Sequence, residues 1–187
     1  MSGESNPLSG GMFLEEFFMG EALKAGLAVV GRTGDNPPVG CVIVKDGGII
    51  ARGATQPPLA RGAARISPHP KKFSPAIQLP YTQGAHAEVM AVCTARTLGA
   101  SITGADVYVT LEPCAFTGRT PPCSTFLVSL RPRRVLIGIR DPHPQVRGAG
   151  VNELRKAGIE VVEGVLKDKV RQAFAMWISR YGDPDSP

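Results

Sequence analysis

His86-Ala87-Glu88, followed further along by Thr110-Leu111-Glu112-Pro113-Cys114 and its continuation Thr120-Pro121-Pro122-Cys123, decides how this chain is read. The first segment stands at the start of a stretch of helical composition, the second at the end of a β-rich run. Together they offer one histidine, two cysteines and a glutamate that is not needed as a ligand. A neutral imidazole and two thiolates fill three of zinc's four tetrahedral positions and leave the fourth for water, whereas a structural zinc would use four protein ligands. Zinc lowers the pKa of such a water toward ~7, and Glu88 is placed to take the proton and return it to a substrate. Residues two apart on an ideal helix diverge by roughly 200°, so His86 and Glu88 share a pocket only if it lies off the helix end. Cys114 follows Pro113, a residue common at helix starts, and a thiolate is stabilised both there and by a metal. The competing reading is a buried histidine with two inert core thiols.

Working outward, the pattern alternates strand and helix. Val39–Lys45 and Gly48–Arg52 read as a hairpin turned by Asp46-Gly47. Ala85–Leu98 reads as a helix stopped by Gly99, and Asn152–Ala157 as one closed by Gly158. Asp106–Leu111, Arg134–Ile139 and Ile159–Val162 read as strands, and Ser124–Leu130 as a short helix. Before the hairpin, Met12–Val30 reads as an amphipathic helix with Leu14, Phe18, Ala22, Ala25 and Val29 on one face. At the end, Leu166, Val170, Phe174, Trp177 and Ile178 form the apolar stripe of a last helix, Trp177 anchoring it to the core. Such alternation implies an α/β sheet covered by helices on both faces. Residues 56–84 differ: six prolines, Arg61, Arg65, Lys71 and Lys72, and no acidic side chain mark a long irregular loop.

Bulk properties narrow the class. At 187 residues, with 43% hydrophobic and 20% charged residues, the chain can bury a core without disulfide staples. Glu15, Glu16, Glu21 and Lys24 interrupt the apolar N-terminal stretch, which excludes it as a membrane span. The polar residues 1–12 lack a secretory core, and four cysteines outside a secretory context point to thiols or metal ligands in a cytoplasmic protein. The net charge of +5 favours an anionic partner. Aromatic residues make up only 6%, with no interleaved basic–aromatic run, which argues against single-stranded nucleic acid.

The order of the chemical residues matches the deaminase pattern H-x-E…P-C-x-x-C, except that eight residues separate Cys114 from Cys123. That spacing, with Asn36-Pro-Pro-Val-Gly40, Gly118-Arg-Thr-Pro-Pro-Cys123, Asp141-Pro-His-Pro144 and Ala157-Gly-Ile-Glu-Val161 in the same order, resembles the deaminase domain of the bifunctional riboflavin-biosynthesis deaminase–reductase. The resemblance implies a three-layer α/β/α sandwich around a mixed five-stranded sheet, cytidine-deaminase-like. It also implies hydrolytic deamination of diaminohydroxyphosphoribosylaminopyrimidine, a phosphorylated small-molecule pyrimidine. By the same resemblance His86, Cys114 and Cys123 hold Zn2+, Glu88 is the catalytic proton shuttle, and Asn36, Arg119 and Asp141 bind substrate, Arg119 near the phosphate. A deaminase domain over 13–180 between tails 1–12 and 181–187 follows, standing alone or as one part of a longer chain. So does a homo-oligomer, dimer or tetramer, with neither nucleic acid nor membrane as partner.

Three positions depart from that family. Phe116 and Thr55 stand where it holds histidines, and His143 stands where it has an asparagine. The loop 56–84 is also longer than the family's, and is expected to fold over or beside the site and replace recognition lost at Thr55 and Phe116. Cys41 and Cys93 are expected in the core, and His69 on the exposed loop. The alternatives are a paralogue acting on another pyrimidine, a purine or a nucleic-acid base, and a zinc-stabilised module without catalysis.

Overall fold

Asp46 and Gly47, at φ of 51° and 76°, form the left-handed pair that a two-residue hairpin turn requires. They join β1 (Gly40–Lys45) to β2 (Gly48–Ala54) in an antiparallel pair with a register shift after Ile43. The structure, a computed structural model, describes residues 7–58, 84–117 and 121–183. Three further strands, β3 (Asp106–Leu111), β4 (Arg134–Ile139) and β5 (Glu160–Glu163), complete one sheet in the order β2-β1-β3-β4-β5. β1 is antiparallel to both its neighbours, and β3, β4 and β5 run parallel, so the sheet is mixed.

The central strands bury both faces, and the alternation of their side chains builds two cores. Cys41, Ile43, Val107, Val109, Val135 and Ile137 point to one face. There they meet α2 (Ala87–Thr97), α3 (Cys123–Leu130) and α4 (Ala149–Lys156). Val42, Val44, Tyr108 and Leu136 point to the other, against α1 (Pro7–Leu27) and α5 (Lys167–Ala173). This is the expected three-layer α/β/α sandwich, cytidine-deaminase-like in its mixed five-stranded sheet. α2, which carries Glu88 and follows directly on His86, sits on the hairpin. A Cβ at Gly53 would collide with the backbone of Ala87 and Ala91, so only glycine lets the helix approach this closely.

Several local expectations are corrected. The buried face of α1 keeps the expected Phe18 and Ala22 and adds Met19 and Gly26, while Leu14 is exposed alongside Met12, Phe13 and Phe17. The apolar residues of this helix are spread over more than one side rather than forming one stripe, so periodicity alone could not pick the inward side. The expected last helix is two, α5 and α6 (Ala175–Tyr181), broken where Phe174 leaves helical geometry at φ −100°, ψ 14°. Cys41 is fully buried and Cys93 packs against the first core from a half-buried position, both as expected. Residues 59–83, with His69 and the body of the long loop, lie outside the described residues, as does Arg119. Among the described residues, no helix is long and apolar enough to cross a membrane.

Candidate metal centre and active-site pocket

His86 is the residue just before α2, in extended geometry at φ −76°, ψ 162°. It therefore leaves the helix axis while Glu88 stays in the first turn, which resolves the angular conflict between residues two apart. Cys114 lies three residues beyond the end of β3, and Cys123 opens α3. The Cys123 N–H donates to Cys114 Sγ at 3.4 Å, which locks the two cysteine segments together. His86 Nδ1 lies 3.5 Å from Cys114 Sγ and 3.3 Å from Cys123 Sγ, and the three donor atoms all fall within 4.8 Å of one another. A tetrahedral zinc with Zn–S of about 2.3 Å and Zn–N of about 2.0–2.1 Å requires N···S edges of about 3.5 Å. The donor atoms already stand at those edges, so the residues present fit the ion.

The electrostatics match this donor set. Cys114 is driven down to about 4 by the hydrogen bond from Cys123 and by His86, against the opposing effect of burial. Cys123 is pushed upward by its bond to Cys114 and by burial, as one of two adjacent thiols must be. Burial pulls the His86 imidazole down, but its bond to Cys114 and the nearby negative charges outweigh that and hold it up at about 9. A dication that binds here displaces the protons of both His86 and Cys123. Glu88, only 3% exposed, is pushed upward chiefly by burial, with His86 pulling the other way. It is a carboxylate predisposed to accept a proton, and it has no place among the three ligands.

A cavity of about 510 Å³ opens over this centre and is lined by His86, Glu88 and Cys114. Asn36 and Asp141, two of the expected substrate-binding residues, also line it. Thr55, at a position where the resemblance expects histidine, is buried and does structural work. Its Oγ1 donates to the Pro37 carbonyl at 3.0 Å and accepts the Val39 N–H at 3.1 Å, pinning the segment that carries Asn36. Phe116 lines the cavity and stacks on His143 with ring centroids 5.6 Å apart. The ends of the long loop meet at this mouth, where Gly84 N–H donates to the Pro57 carbonyl at 2.7 Å and Gln56 N–H to the Ala85 carbonyl at 2.9 Å.

Four site residues were missed by sequence reasoning. Trp177 packs against the second core as expected, but its Nε1 also donates to Asp141 Oδ1 at 3.0 Å and its ring forms part of the cavity wall. Arg180 and Tyr181 follow it on α6 and line the same wall. Their signal was the spacing 177, 180, 181, which places three large polar-edged side chains on one helical face. The fourth is Glu112, 3% exposed in the middle of the Thr-Leu-Glu-Pro-Cys segment. Its Oε2 accepts the N–H groups of Gly148 at 2.9 Å and Asp141 at 3.2 Å; its Oε1 accepts those of Gly150 at 3.0 Å and Val151 at 3.2 Å. One carboxylate thereby caps α4, holds the Asp141 loop and fixes the chain two residues before Cys114. A Cβ at Gly150 would strike the Pro113 carbonyl, so that close approach requires glycine.

A mixed sheet of this order, with a histidine and two cysteines converging beside a buried glutamate past the end of a central strand, defines the zinc-binding deaminase class of fold. The chain belongs to the cytidine and deoxycytidylate deaminase family, whose zinc-binding region matches residues 12–139. Among its relatives, the riboflavin biosynthesis protein RibD of Actinobacillus pleuropneumoniae is 41% identical over 152 residues, covering 81% of this chain and 33% of that protein. RibD of Escherichia coli (strain K12) is 40% identical over 168 residues, covering 89% of this chain and 38% of that protein. The crystal structure of a diaminohydroxyphosphoribosylaminopyrimidine deaminase/5-amino-6-(5-phosphoribosylamino)uracil reductase from Thermotoga maritima is similar with a TM-score of 0.73 at 38% identity. That match covers 91% of this chain and 42% of the other. The chain thus spans well under half the length of these relatives. The dCMP deaminase of cyanophage S-TIM5, at 20% identity and a TM-score of 0.55, shares the fold.

Proposed function

We propose that this chain deaminates an aminopyrimidine nucleotide by hydrolysis, with diaminohydroxyphosphoribosylaminopyrimidine as the substrate and riboflavin biosynthesis as the setting. The observation that carries this reading is Glu88, a buried carboxylate beside a three-ligand centre that leaves a fourth position open. A purely structural zinc site has no use for such a group. The named activity of the Thermotoga maritima relative and the RibD relatives supply the substrate class.

Hydrolytic deamination replaces an exocyclic amine by a carbonyl oxygen: the oxygen of water bonds to the ring carbon, the C–N bond breaks, and ammonia leaves. His86, Cys114 and Cys123 would hold a zinc, which when bound would supply Lewis acidity to the water. Glu88 accepts one proton from the attacking water and passes it to the ring nitrogen, then carries the second, released as the new C–OH becomes the carbonyl, to the departing amine, which leaves as ammonia. Its buried position favours this, because burial raises its affinity for the proton it must carry. Asn36 lines the same cavity, and its amide offers both donors and an acceptor, a suitable set for the edge of a pyrimidine. Asp141 receives the His143 N–H at 2.9 Å and the Trp177 indole, and so holds these two rings against the cavity. Arg119 is assigned to the phosphate end by resemblance, and the exposed Met12, Phe13 and Phe17 of α1 offer a face for a homo-oligomer.

The test is ammonia release by the zinc-loaded protein, given the diaminopyrimidine ribonucleotide, cytidine monophosphate and single-stranded oligonucleotides in parallel. Release from the first alone is the expected result. Release only from another base, or none from any, overturns the assignment.

A further inference from the structure

The residues lining the cavity are unevenly charged. Asp35, Glu88, Glu112 and Asp141 bring four carboxyl groups, and Arg180 is the one lysine or arginine among the described lining residues. Glu88, Glu112 and Asp141 are buried, at 3%, 3% and 7% exposure, while Asp35 and Arg180 are exposed, so three carboxyl groups form the floor and Arg180 stands at the rim. The Arg180 guanidinium lies 5.8 Å from the centre of the Trp177 ring, within cation–π range. Among the described residues no carboxylate forms a salt bridge with it. Trp177 is itself held by Asp141, so the brace under Arg180 is tied to the pocket floor. Beyond it runs a row of rings: Trp177 against Tyr181 at 4.7 Å, Tyr181 against His143 at 4.8 Å, and His143 against Phe116 at 5.6 Å.

We propose that Arg180, braced on Trp177, is a subsite that reads a phosphate monoester on the substrate. A floor of buried carboxyl groups repels an anion, and a rim arginine with a planar fork of donors attracts one. The ligand that satisfies both ends has a flat ring for the floor and a dianionic group a sugar's length away, which is a mononucleotide. The subsite rests on the nucleotide reading above and adds to it a residue that lies beyond the matched family region, which ends at residue 139.

Trp177 is the single tryptophan of the chain, so its fluorescence reports ligand at this wall without any need for turnover. The zinc-loaded full chain is titrated with the diaminopyrimidine ribonucleotide and with its dephosphorylated nucleoside, and ammonia release is measured separately. The expected result is that the wild type prefers the nucleotide, and that Arg180→Ala weakens nucleotide binding by roughly ten- to a hundredfold and nucleoside binding little. Arg180→Lys should recover part of the loss, with an unchanged melting temperature in both variants. A wild type with no preference for the phosphorylated form overturns the subsite. So does an Arg180→Ala variant that keeps the preference, above all if Arg119→Ala abolishes it. Phosphate-dependent binding through Arg180 without ammonia release would overturn the reaction instead and leave the subsite standing.

Discussion

Replacing Glu112 by alanine removes the acceptor for four backbone N–H groups at once, all between 2.9 and 3.2 Å from its two oxygens. A hydrogen bond to a charged group is worth about 1.5–3 kcal/mol, so a bare sum gives about 6–12 kcal/mol. That is the size of the whole stability of an ordinary domain, about 5–15 kcal/mol. The sum overstates the effect, because the four donors share two oxygens and water can enter the space left behind. Breaking one side of a buried charged network costs about 3–5 kcal/mol, and that is the expected loss for Glu112→Ala. For a chain of this size the melting temperature should fall by about 6–20 °C. Glu112→Gln keeps the shape but turns an NH2 group toward two N–H donors, and should fall between the wild type and the alanine variant. The assay is urea unfolding followed by circular dichroism on zinc-loaded protein, with metal content measured on the same samples. Because Glu112 fixes the chain before Cys114, metal retention should fall along with stability. An alanine variant within about 1 kcal/mol of wild type, with full zinc, would show that the four contacts are not the anchor described, since even one lost bond to a charged group exceeds that.

Three further outcomes follow from the same geometry. Glu88→Gln should keep the fold and the zinc but lose at least about 10²-fold in kcat, since general acid–base catalysis contributes about 10²–10⁴-fold; near-normal ammonia release would remove Glu88 from the chemistry. Replacing residues 59–82 by a short Gly/Ser connector should close without strain, because Pro57 and Gly84 are already hydrogen-bonded at 2.7 Å. If the long loop takes part in recognition, that variant keeps zinc and melting temperature but loses kcat/KM; an unchanged kcat/KM assigns the loop no such role. Burial raises the Asp106 carboxyl, but its bonds from Arg134 and Arg133 outweigh this and hold it below its ordinary value. A carboxyl depressed in the folded state contributes stability above its unfolded pKa of about 3.9 that is lost as pH falls through the folded value. Asp106→Asn should therefore be less stable at neutral pH and show a flatter acid limb of unfolding below about pH 4; an unchanged acid limb would contradict the pairing.

Much of the fold was legible because its signals are local. The hairpin turn, the strands Asp106–Leu111 and Arg134–Ile139, and the glycine stops after α2 and α4 each follow from a few neighbouring residues. The metal centre was legible for a different reason: an imidazole, a carboxylate two residues on and then two thiolates have few other uses, whatever the intervening fold. What failed were features settled by tertiary contact. The apolar residues of α1 are spread over more than one side, so which side faces the sheet depended on β1 and β3 rather than on its own period. The break at Phe174 leaves no glycine or proline in the sequence to mark it. Glu112 looked like an ordinary polar neighbour of Cys114, because its four partners come from the 141 loop and the start of α4, remote in sequence.

The division between legible and hidden residues follows a division in the molecule itself. His86, Glu88, Cys114 and Cys123 all lie inside the family's matched region, residues 12–139, and sit on elements fixed by the sheet. Asp141, His143, Trp177, Arg180 and Tyr181 lie beyond it, on the loop after β4 and on α6. The reaction needs the first set in one geometry, since a proton must pass between fixed atoms whatever ring is bound. The second set lines the cavity and contributes no donor atom to the metal centre. α6 can change its outward face without disturbing the donor triad, because no ligand or proton carrier rests on it. Glu112 is the link between the two, with one end of its hydrogen-bond set on the Asp141 loop and its backbone leading into Cys114. Substitutions on α6 should therefore alter which pyrimidine is bound and leave zinc affinity unchanged, whereas substitutions at Glu112 should disturb both.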